Sequence, residues 1–333
     1  LMSDKRLCHL GFSQITAIAM FVSFLVQGYK MVSIVLLTVH MLLSYIFIWR
    51  FLKDLKTSAN KGKVSTCFPI AALVCLFISS FGPLTIPITK VVLKDPDLSK
   101  MAINFYLHFQ YNAWFLFGVL SVLLRKLERE KRLQQQGILK ASFFLLATSV
   151  VPAYLLSVQW MDFPIGLKNF GRMAGIVQWT GMLLFLLGVL PKIKTWFAKE
   201  RLSALLIYVA LIFFFVKSSL LAASAHPNVI TIVENSRQVM VGYFHLIFIG
   251  FVSTALFGFF SFGQSKNGVL IFGILLFLIS FYANEFWLFK NGLSPHFDAL
   301  QAVPHILEKL FYSAGGMFLG GVLVFVGKVK KSV

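Results

Sequence analysis

Residues 202–223 read LSALLIYVALIFFFVKSSLLAA, and Lys217 is the one charged side chain among them. A helix of this length rises about 33 Å, and the hydrocarbon layer of a bilayer is roughly 30 Å thick. The stretch is therefore long and apolar enough to cross a membrane as a helix. Nine more runs of this kind occupy most of the 333 residues.

Ten apolar runs predict an all-α, polytopic transmembrane helix bundle. A soluble domain could not hide the apolar surface of a chain that is 58% hydrophobic and 13% charged. Helices are expected because lipid offers no hydrogen-bond partner to an open strand edge. The connections are short, so residues 1–333 are expected to form a single transmembrane domain. Numbered as spans 1 to 10, the predicted runs are 11–29, 31–51, 66–88, 103–124, 138–158, 172–191, 202–223, 239–261, 268–289 and 305–327.

The net charge of +19 is unevenly distributed between the two ends of the predicted bundle. Of the 31 Lys and Arg, 21 lie at or near the termini and the connections 2–3, 4–5, 6–7 and 8–9, and the other 10, with Lys217 of span 7 counted among them, are assigned to the opposite side. Because the more basic side of a membrane protein faces the cytoplasm, both termini are predicted to be cytoplasmic. The basic segments 50–63 and 125–140 adjoin helix ends, which favours contact with anionic lipid headgroups over binding of nucleic acid.

Histidines are concentrated in the outer half and the middle of the predicted bundle. His108 lies about five residues, or ~8 Å, into span 4, and His245 lies at a similar depth in span 8. Neutral imidazoles on two helices could ligate one shared metal or haem, so His108 and His245 are candidate metal ligands. The alternative is that each histidine hydrogen-bonds a backbone carbonyl or a neighbouring helix. The histidines outside the cytoplasmic half are His40, His108, His226, His245, His296 and His305.

The neighbours of both histidines are unusual for a lipid-facing helix. Residues 104–115 read NFYLHFQYNAWF, and polar side chains such as Gln110 and Asn112 are costly in lipid, so they are expected to line a cavity or contact a bound group. Gly242 and Gly250 flank His245, which would allow close approach of another helix or of a flat macrocycle.

Three further sequence features each allow two structural interpretations. Glu285, near the outer end of span 9, is expected either to snorkel to the interface or to take part in proton movement, and Lys217 is expected to snorkel or to be paired. The Gly316-x-x-x-Gly320 motif of span 10 predicts close helix packing, inside the bundle or with a partner.

Three segments carry a family resemblance: Tyr-Leu-His108-Phe-Gln-Tyr-Asn-x-Trp-Phe, Tyr-Phe-His245-Leu, and Gln27-Gly28-Tyr29 ahead of the His40 helix. With them the chain resembles, in a divergent form, the subunit I superfamily of haem–copper oxidases and nitric oxide reductases. It looks most like uncharacterised Bacteroidetes membrane proteins related to that superfamily. Members have twelve helices and hold two haems in the outer half. The resemblance thus implies two N-terminal helices missing before Leu1 and a location in the bacterial inner (cytoplasmic) membrane.

In that register span 4 corresponds to the sixth family helix, whose histidine ligates copper, and His108 falls there. Span 8 corresponds to the tenth helix, which carries a His-x-His pair with one ligand for each haem. Here the pair reads Tyr243-Phe-His245, so the resemblance assigns His245 to the low-spin haem, with Tyr243 beside it. Arg237 would pair with haem propionates through its bidentate geometry, or be an ordinary helix-end charge. Span 5 contains no histidine, so no complete copper centre is expected.

The resemblance implies an oxidase subunit I-like membrane protein that binds haem near His245. Its role would be electron transfer, gas sensing or assembly rather than reduction of oxygen, and its partners would be the lipid bilayer, haem and a redox protein. A rival hypothesis is a small-solute transporter or channel whose cavity is lined by His108, Gln110, Asn112 and Glu285. A third is a membrane scaffold without a ligand.

Overall fold

The computed structural model describes residues 4–28, 30–57, 63–133, 136–264, 267–297 and 299–329. Within these ranges the chain is helical and contains no strand. Tyr29, part of the family resemblance, lies outside the described residues, as does Leu1.

Within the described residues, ten helical segments are long and apolar enough to cross a membrane, which confirms the all-α polytopic bundle. A short helix, Pro227–Asn235, lies between spans 7 and 8. The ten spans are Cys8–Gln27, Met31–Leu55, Val64–Val92, Pro96–Arg129, Gly137–Val158, Ile165–Ala198, Arg201–Ala223, Arg237–Phe260, Gly268–His296 and Ile306–Val329.

Span 4 begins seven residues earlier than its hydropathy predicts. Asp95 caps the helix by accepting hydrogen bonds from the backbone N–H of Asp97 (2.9 Å) and Leu98 (3.0 Å), and Pro96 occupies the first helical turn. An acidic cap followed by proline is a strong helix start signal. The first two turns of the helix are polar, which is why a hydropathy reading places the start too late.

Several spans are not regular α-helices along their whole length. π-helical segments, with i to i+5 hydrogen bonds, occur at Ile88–Val92 in span 3, Gln110–Phe115 in span 4 and Leu246–Ser253 in span 8. The segments in spans 4 and 8 each begin within two residues of a histidine and contact one another. π turns inside α-helices are rare and are frequent at functional sites.

Phenylalanine rings hold the centre of the bundle together. The Phe68 ring of span 3 makes edge contacts with Phe117, Phe143 and Phe185, at centroid distances of 5.8, 5.1 and 5.8 Å. Spans 3, 4, 5 and 6 therefore meet at one buried side chain. Span 4 is the most enclosed, with 61% of its apolar window buried, whereas span 1 has 0%. The bundle thus has span 4 at its centre and span 1 at its edge.

Spans 9 and 10 pack through glycines. A Cβ at Gly320 would lie 2.6 Å from the backbone nitrogen of Phe277 and 2.8 Å from the carbonyl oxygen of Gly273, so a larger residue has no room. Gly316 contacts Ser280, which lies on the same face of span 9 as Gly273 and Phe277. The Gly316-x-x-x-Gly320 motif therefore serves packing inside the bundle.

The two ends of the bundle are formed by different connections. The end with the connections 2–3, 4–5, 6–7 and 8–9 carries most of the Lys and Arg, and we call it the basic end. There Lys63 pairs with Glu128 (3.1 Å) and Trp196 Nε1 donates to Glu130 Oε2 (2.6 Å). At the opposite end Tyr154 donates to the carbonyl of Met101 (3.0 Å). Successive spans therefore alternate in direction.

Candidate functional site

His108 lies deeper in the bundle than predicted. Because span 4 begins at Pro96, twelve residues separate the helix start from His108, which corresponds to ~18 Å. His245 is eight residues, or ~12 Å, from the start of span 8 at Arg237. Measured from their own helix starts, the two histidines are not at matching depth.

Both ring nitrogens of His108 are hydrogen-bonded in the interior. The ring is 2% exposed; Nε2 lies 2.8 Å from the carbonyl oxygen of Val150 in span 5, and Nδ1 lies 3.1 Å from Nδ2 of Asn112. A carbonyl oxygen only accepts, so Nε2 carries the proton and Nδ1 accepts from the amide of Asn112. The hydroxyl of Ser157 stands 3.5 Å from the same Nδ1. Of the two readings of this histidine, a bond to a backbone carbonyl is the one seen.

Asn112 extends this hydrogen bonding to span 8. Its Oδ1 accepts from the hydroxyl of Tyr243 at 3.2 Å, while its Nδ2 donates to His108. Every donor then points the same way, from Tyr243 through Asn112 and His108 to Val150. We call these four residues the polar chain. It connects spans 8, 4 and 5 through side chains 131 positions apart in sequence.

His245 makes a separate pair with Glu285 of span 9. Nδ1 of the imidazole lies 3.0 Å from Oε1 of the carboxylate, and the side chains are 30% and 9% exposed respectively. Glu285 lies eight residues, or ~12 Å, from Leu293, where the α-helical part of span 9 ends. The carboxylate therefore contacts another helix at depth and does not snorkel. Its second oxygen, Oε2, is buried with no hydrogen-bond partner among the described residues.

Gly242 allows spans 8 and 9 to approach beside this pair. A Cβ at that position would lie 2.9 Å from the ring of Phe289 and 3.3 Å from Oε2 of Glu285. At Gly250 the nearest atoms are ring carbons of Phe213 and Phe281, at 3.0 and 3.2 Å. Of the two uses predicted for these small residues, close approach of another helix is the one observed.

The two histidines do not face one another. Tyr243 and His245 are two residues apart on one α-helix, which separates their side chains by about 200° around the axis. Tyr243 points to Asn112 and His108, whereas His245 points to Glu285. The structure thus brings His108 together with Tyr243, and His245 together with Glu285. Arg237 is exposed at the first turn of span 8, about 12 Å along the helix from His245.

Gln110 faces a third location. Its Nε2 donates to the hydroxyl of Ser79 at 2.8 Å, on the wall of a cavity of about 470 Å³ between spans 1, 2, 3, 4 and 8. His40 also lines this cavity and shares a 3.0 Å hydrogen bond with Thr16. The four residues suggested for a solute pathway, His108, Gln110, Asn112 and Glu285, therefore lie in three different places.

Two further buried polar side chains belong to the same interior, Lys217 and Gln178, and only Lys217 was singled out from the sequence. Lys217 is 3% exposed and Gln178 is 1% exposed, and neither has a hydrogen-bond partner within the part of the chain that the structure describes. Lys217 lines a small void with Tyr111 and Ile247 that has no room for water. The expectation that Lys217 snorkels or is paired is therefore wrong. The position of Lys217 in the middle of an apolar run was the signal in the sequence for a buried polar group. The position of Gln178 gave a weaker signal of the same kind.

The described residues contain no cluster of three or more His, Cys, Asp or Glu that could hold a metal ion. The fold and the interior polar residues define a multi-pass α-helical membrane protein. No protein-family model matches the chain, and no curated protein matches its sequence.

Proposed function

We propose that this protein of the bacterial inner membrane binds a b-type haem through His245, with a role in electron transfer, gas sensing or assembly. We further propose that its basic end faces the cytoplasm, because Lys and Arg accumulate on the cytoplasmic side of membrane proteins. The oxidase-like resemblance of the His245 and His108 segments supports this assignment. It requires no copper.

One observation carries the proposal: His245 is oriented by a carboxylate on its Nδ1. The 3.0 Å contact with Oε1 of Glu285 holds the ring, and Nε2 makes no hydrogen bond within the described part of the chain. Histidines that ligate metals commonly donate their other N–H to a carboxylate, which fixes the tautomer and raises the basicity of the ligand. A buried carboxylate inside a membrane is itself costly and usually has a functional reason.

An apolar groove lies beyond His245 along span 8, and His245 is not among the residues that line it. This groove of about 530 Å³ lies between spans 8, 9 and 10, and its wall includes Ile249, Phe277 and Met317. Ile249 is four residues beyond His245 on span 8, so the groove begins about one turn further along. Cofactor sites are typically apolar clefts of this size with a few oriented polar groups. Bound to His245, haem would supply one-electron redox chemistry or a site for a diatomic gas.

The test is a reduced-minus-oxidised visible spectrum of the purified full chain. We expect a Soret band that disappears in His245→Ala and remains in the matched control His305→Ala, since His305 is an exposed loop residue. Glu285→Gln should keep the band and raise the midpoint potential, because an amide makes the ligand less basic than a carboxylate does. A colourless wild-type protein, or a band that survives in His245→Ala, would overturn the proposal.

The orientation is tested independently by cysteine labelling. In a variant without the native Cys8, Cys67 and Cys75, a single cysteine at Asp162 should react with an impermeant maleimide in intact spheroplasts. A single cysteine at Arg132, at the basic end, should react only after permeabilisation. The reverse pattern would refute a cytoplasmic basic end without affecting the haem proposal.

A second candidate function is transport of a small solute, favoured by the 470 Å³ cavity between spans 1, 2, 3, 4 and 8. Among the described residues its lining contains His40, Tyr106, Gln110 and other polar residues but no Asp, Glu, Lys or Arg, so an uncharged solute suits it best. Uptake of uncharged solutes into proteoliposomes, slowed by Gln110→Leu and not by the exposed control Tyr312→Phe, would support this alternative. Equal uptake in empty liposomes would reject it.

A further inference from the structure

A groove of about 580 Å³ lies at the basic end between spans 2, 3, 4 and 8. Cationic side chains from the last turns of span 4 line one part together with Glu130, and apolar side chains line most of the rest, where Ser65, Thr66 and Ser121 are the polar ones. We propose that this groove binds one anionic phospholipid, with the phosphate at the cationic part and an acyl chain along the apolar part. The proposal is independent of any cofactor at His245.

Three cations of span 4 form the head of the groove. Arg125 and Arg129 are four residues apart and share one helix face, with Lys126 beside them. Arg125 donates to Glu128 at 2.8 Å and Lys126 pairs with Glu130 at 3.2 Å. Within the described chain Arg129 has no ion pair, so its guanidinium is available to a phosphate, which it can bind through two parallel hydrogen bonds.

The two acidic side chains nearby are already occupied. Glu128 Oε2 accepts from Ser65 at 2.5 Å and Oε1 lies 3.1 Å from Lys63. Five cations of the described chain stand around these two carboxylates, so the cations of this cluster outnumber its carboxylates by three. The five cations are Lys63, Arg125, Lys126, Arg129 and Arg132.

Glu130 is the acidic group of this cluster that lies just beyond span 4. It accepts from the Trp196 indole and from Arg132 at 2.8 Å. Partial burial raises the pKa of the Glu130 carboxyl, but hydrogen bonds from Trp196, Lys126 and Arg132 outweigh burial and hold this pKa below its ordinary value. The carboxyl is therefore ionised at neutral pH, and the excess of cations persists with both carboxylates charged.

The apolar part of the groove argues for a lipid rather than a free anion. Phe51 and Leu55 of span 2, Pro69 of span 3 and Phe259 of span 8 form its wall. Val122, one turn before the cations, is 49% exposed and opens the groove sideways to the membrane. A phosphate ion would contact none of these side chains, whereas a lipid uses both parts. Basic pockets between transmembrane helices are known to suit anionic headgroups.

The test measures lipid binding to the full-length protein in detergent. Native mass spectrometry with dioctanoyl phosphatidylglycerol and dioctanoyl phosphatidylcholine compares an anionic and a zwitterionic headgroup with the same chains. We expect the anionic lipid to bind at least about tenfold more tightly. Arg129→Gln should weaken it by about tenfold, the effect of one charge-assisted contact. Arg129 is exposed, so this variant is expected to fold.

The matched control is Lys194→Gln, which removes one exposed charge from the same end of the bundle but outside the groove. It should leave binding of the anionic lipid within about twofold of the wild type, as expected for a charge without contact. Equal binding of both lipids, or equal losses in Arg129→Gln and Lys194→Gln, would overturn the proposal. Stabilisation by inorganic phosphate alone to the same extent as by the anionic lipid would show that the site takes a free anion instead.

Discussion

The bond between Asn112 and Tyr243 is the contact of the polar chain that mutations can test most directly. Tyr243→Phe removes a single hydroxyl and leaves Oδ1 of Asn112 without its donor. Asn112→Leu removes both amide atoms but keeps the branched shape of the side chain, and it leaves two groups without this partner, the Tyr243 hydroxyl and Nδ1 of His108. The two variants therefore damage the same chain to different extents.

The expected magnitudes follow from the number of groups left unpaired. A hydrogen bond between membrane helices contributes about 0.6 kcal/mol on average and about 1.7 kcal/mol at most, so Tyr243→Phe should cost about 1 kcal/mol. A buried polar group without a partner costs about 1–3 kcal/mol. Asn112→Leu creates two such groups, but Ser157 stands 3.5 Å from Nδ1 of His108 and can replace one lost donor. We therefore expect Asn112→Leu to cost about 2 kcal/mol.

The double variant separates a specific bond from general damage. When Tyr243 has already lost its hydroxyl, Asn112→Leu leaves one group fewer without a partner. The destabilisation of the double variant should therefore be about 1 kcal/mol smaller than the sum of the two single variants. The assay is reversible unfolding in mixed detergent micelles. The control pair is Asn112→Leu with Tyr208→Phe, because Tyr208 donates to the carbonyl of Leu190 (2.9 Å) away from the polar chain. A coupling below about 0.3 kcal/mol for Asn112 and Tyr243 would refute the proposed bond.

Two further predictions concern packing and charge. Gly320→Ala should destabilise the chain by about 1–3 kcal/mol, because the new methyl would meet Phe277, whereas Gly321→Ala, which has open space around it, should be nearly neutral in the same unfolding assay. Glu130 has a lowered pKa in the folded state, so its stabilising contribution is present above pH 4.5 and is lost as the pH falls through the folded value. Melting temperatures of Glu130→Gln and wild type should therefore differ at neutral pH and converge on acidification; a constant difference would contradict this sign.

The sequence was sufficient to predict the ten spans, because their apolar length decides membrane insertion without reference to tertiary contacts. It was insufficient at the start of span 4, where Asp95 and Pro96 carry the signal and hydropathy does not. The π segments after His108 and His245 could not be predicted either. They depend on how two helices pack against each other. Where the two segments meet, the ring centroids of Tyr111 and Phe248 lie 4.1 Å apart.

The sequence was sufficient to predict that the polar residues of the candidate site contact other helices, but not which residues they contact. A histidine, an asparagine and a glutamate inside apolar helices must find partners, so their burial against other helices follows from the cost of polar groups in lipid. Which partners they find depends on helix rotation and register. Asn112 meets Tyr243 across 131 positions, and His108 meets a backbone carbonyl of span 5, which no side-chain pattern can indicate.

Helix geometry decides how many of the candidate histidines one haem can use. Since Tyr243 and His245 point about 200° apart, turning His245 towards His108 would break both the bond from Tyr243 to Asn112 and the contact with Glu285. Ligation by His108 would also cost it one of two interior hydrogen bonds. A haem at His245 should therefore not depend on His108. We expect His108→Ala to be less stable than the wild type yet to keep the Soret band, and loss of the band in a folded His108→Ala protein would show that the two imidazoles share one ligand.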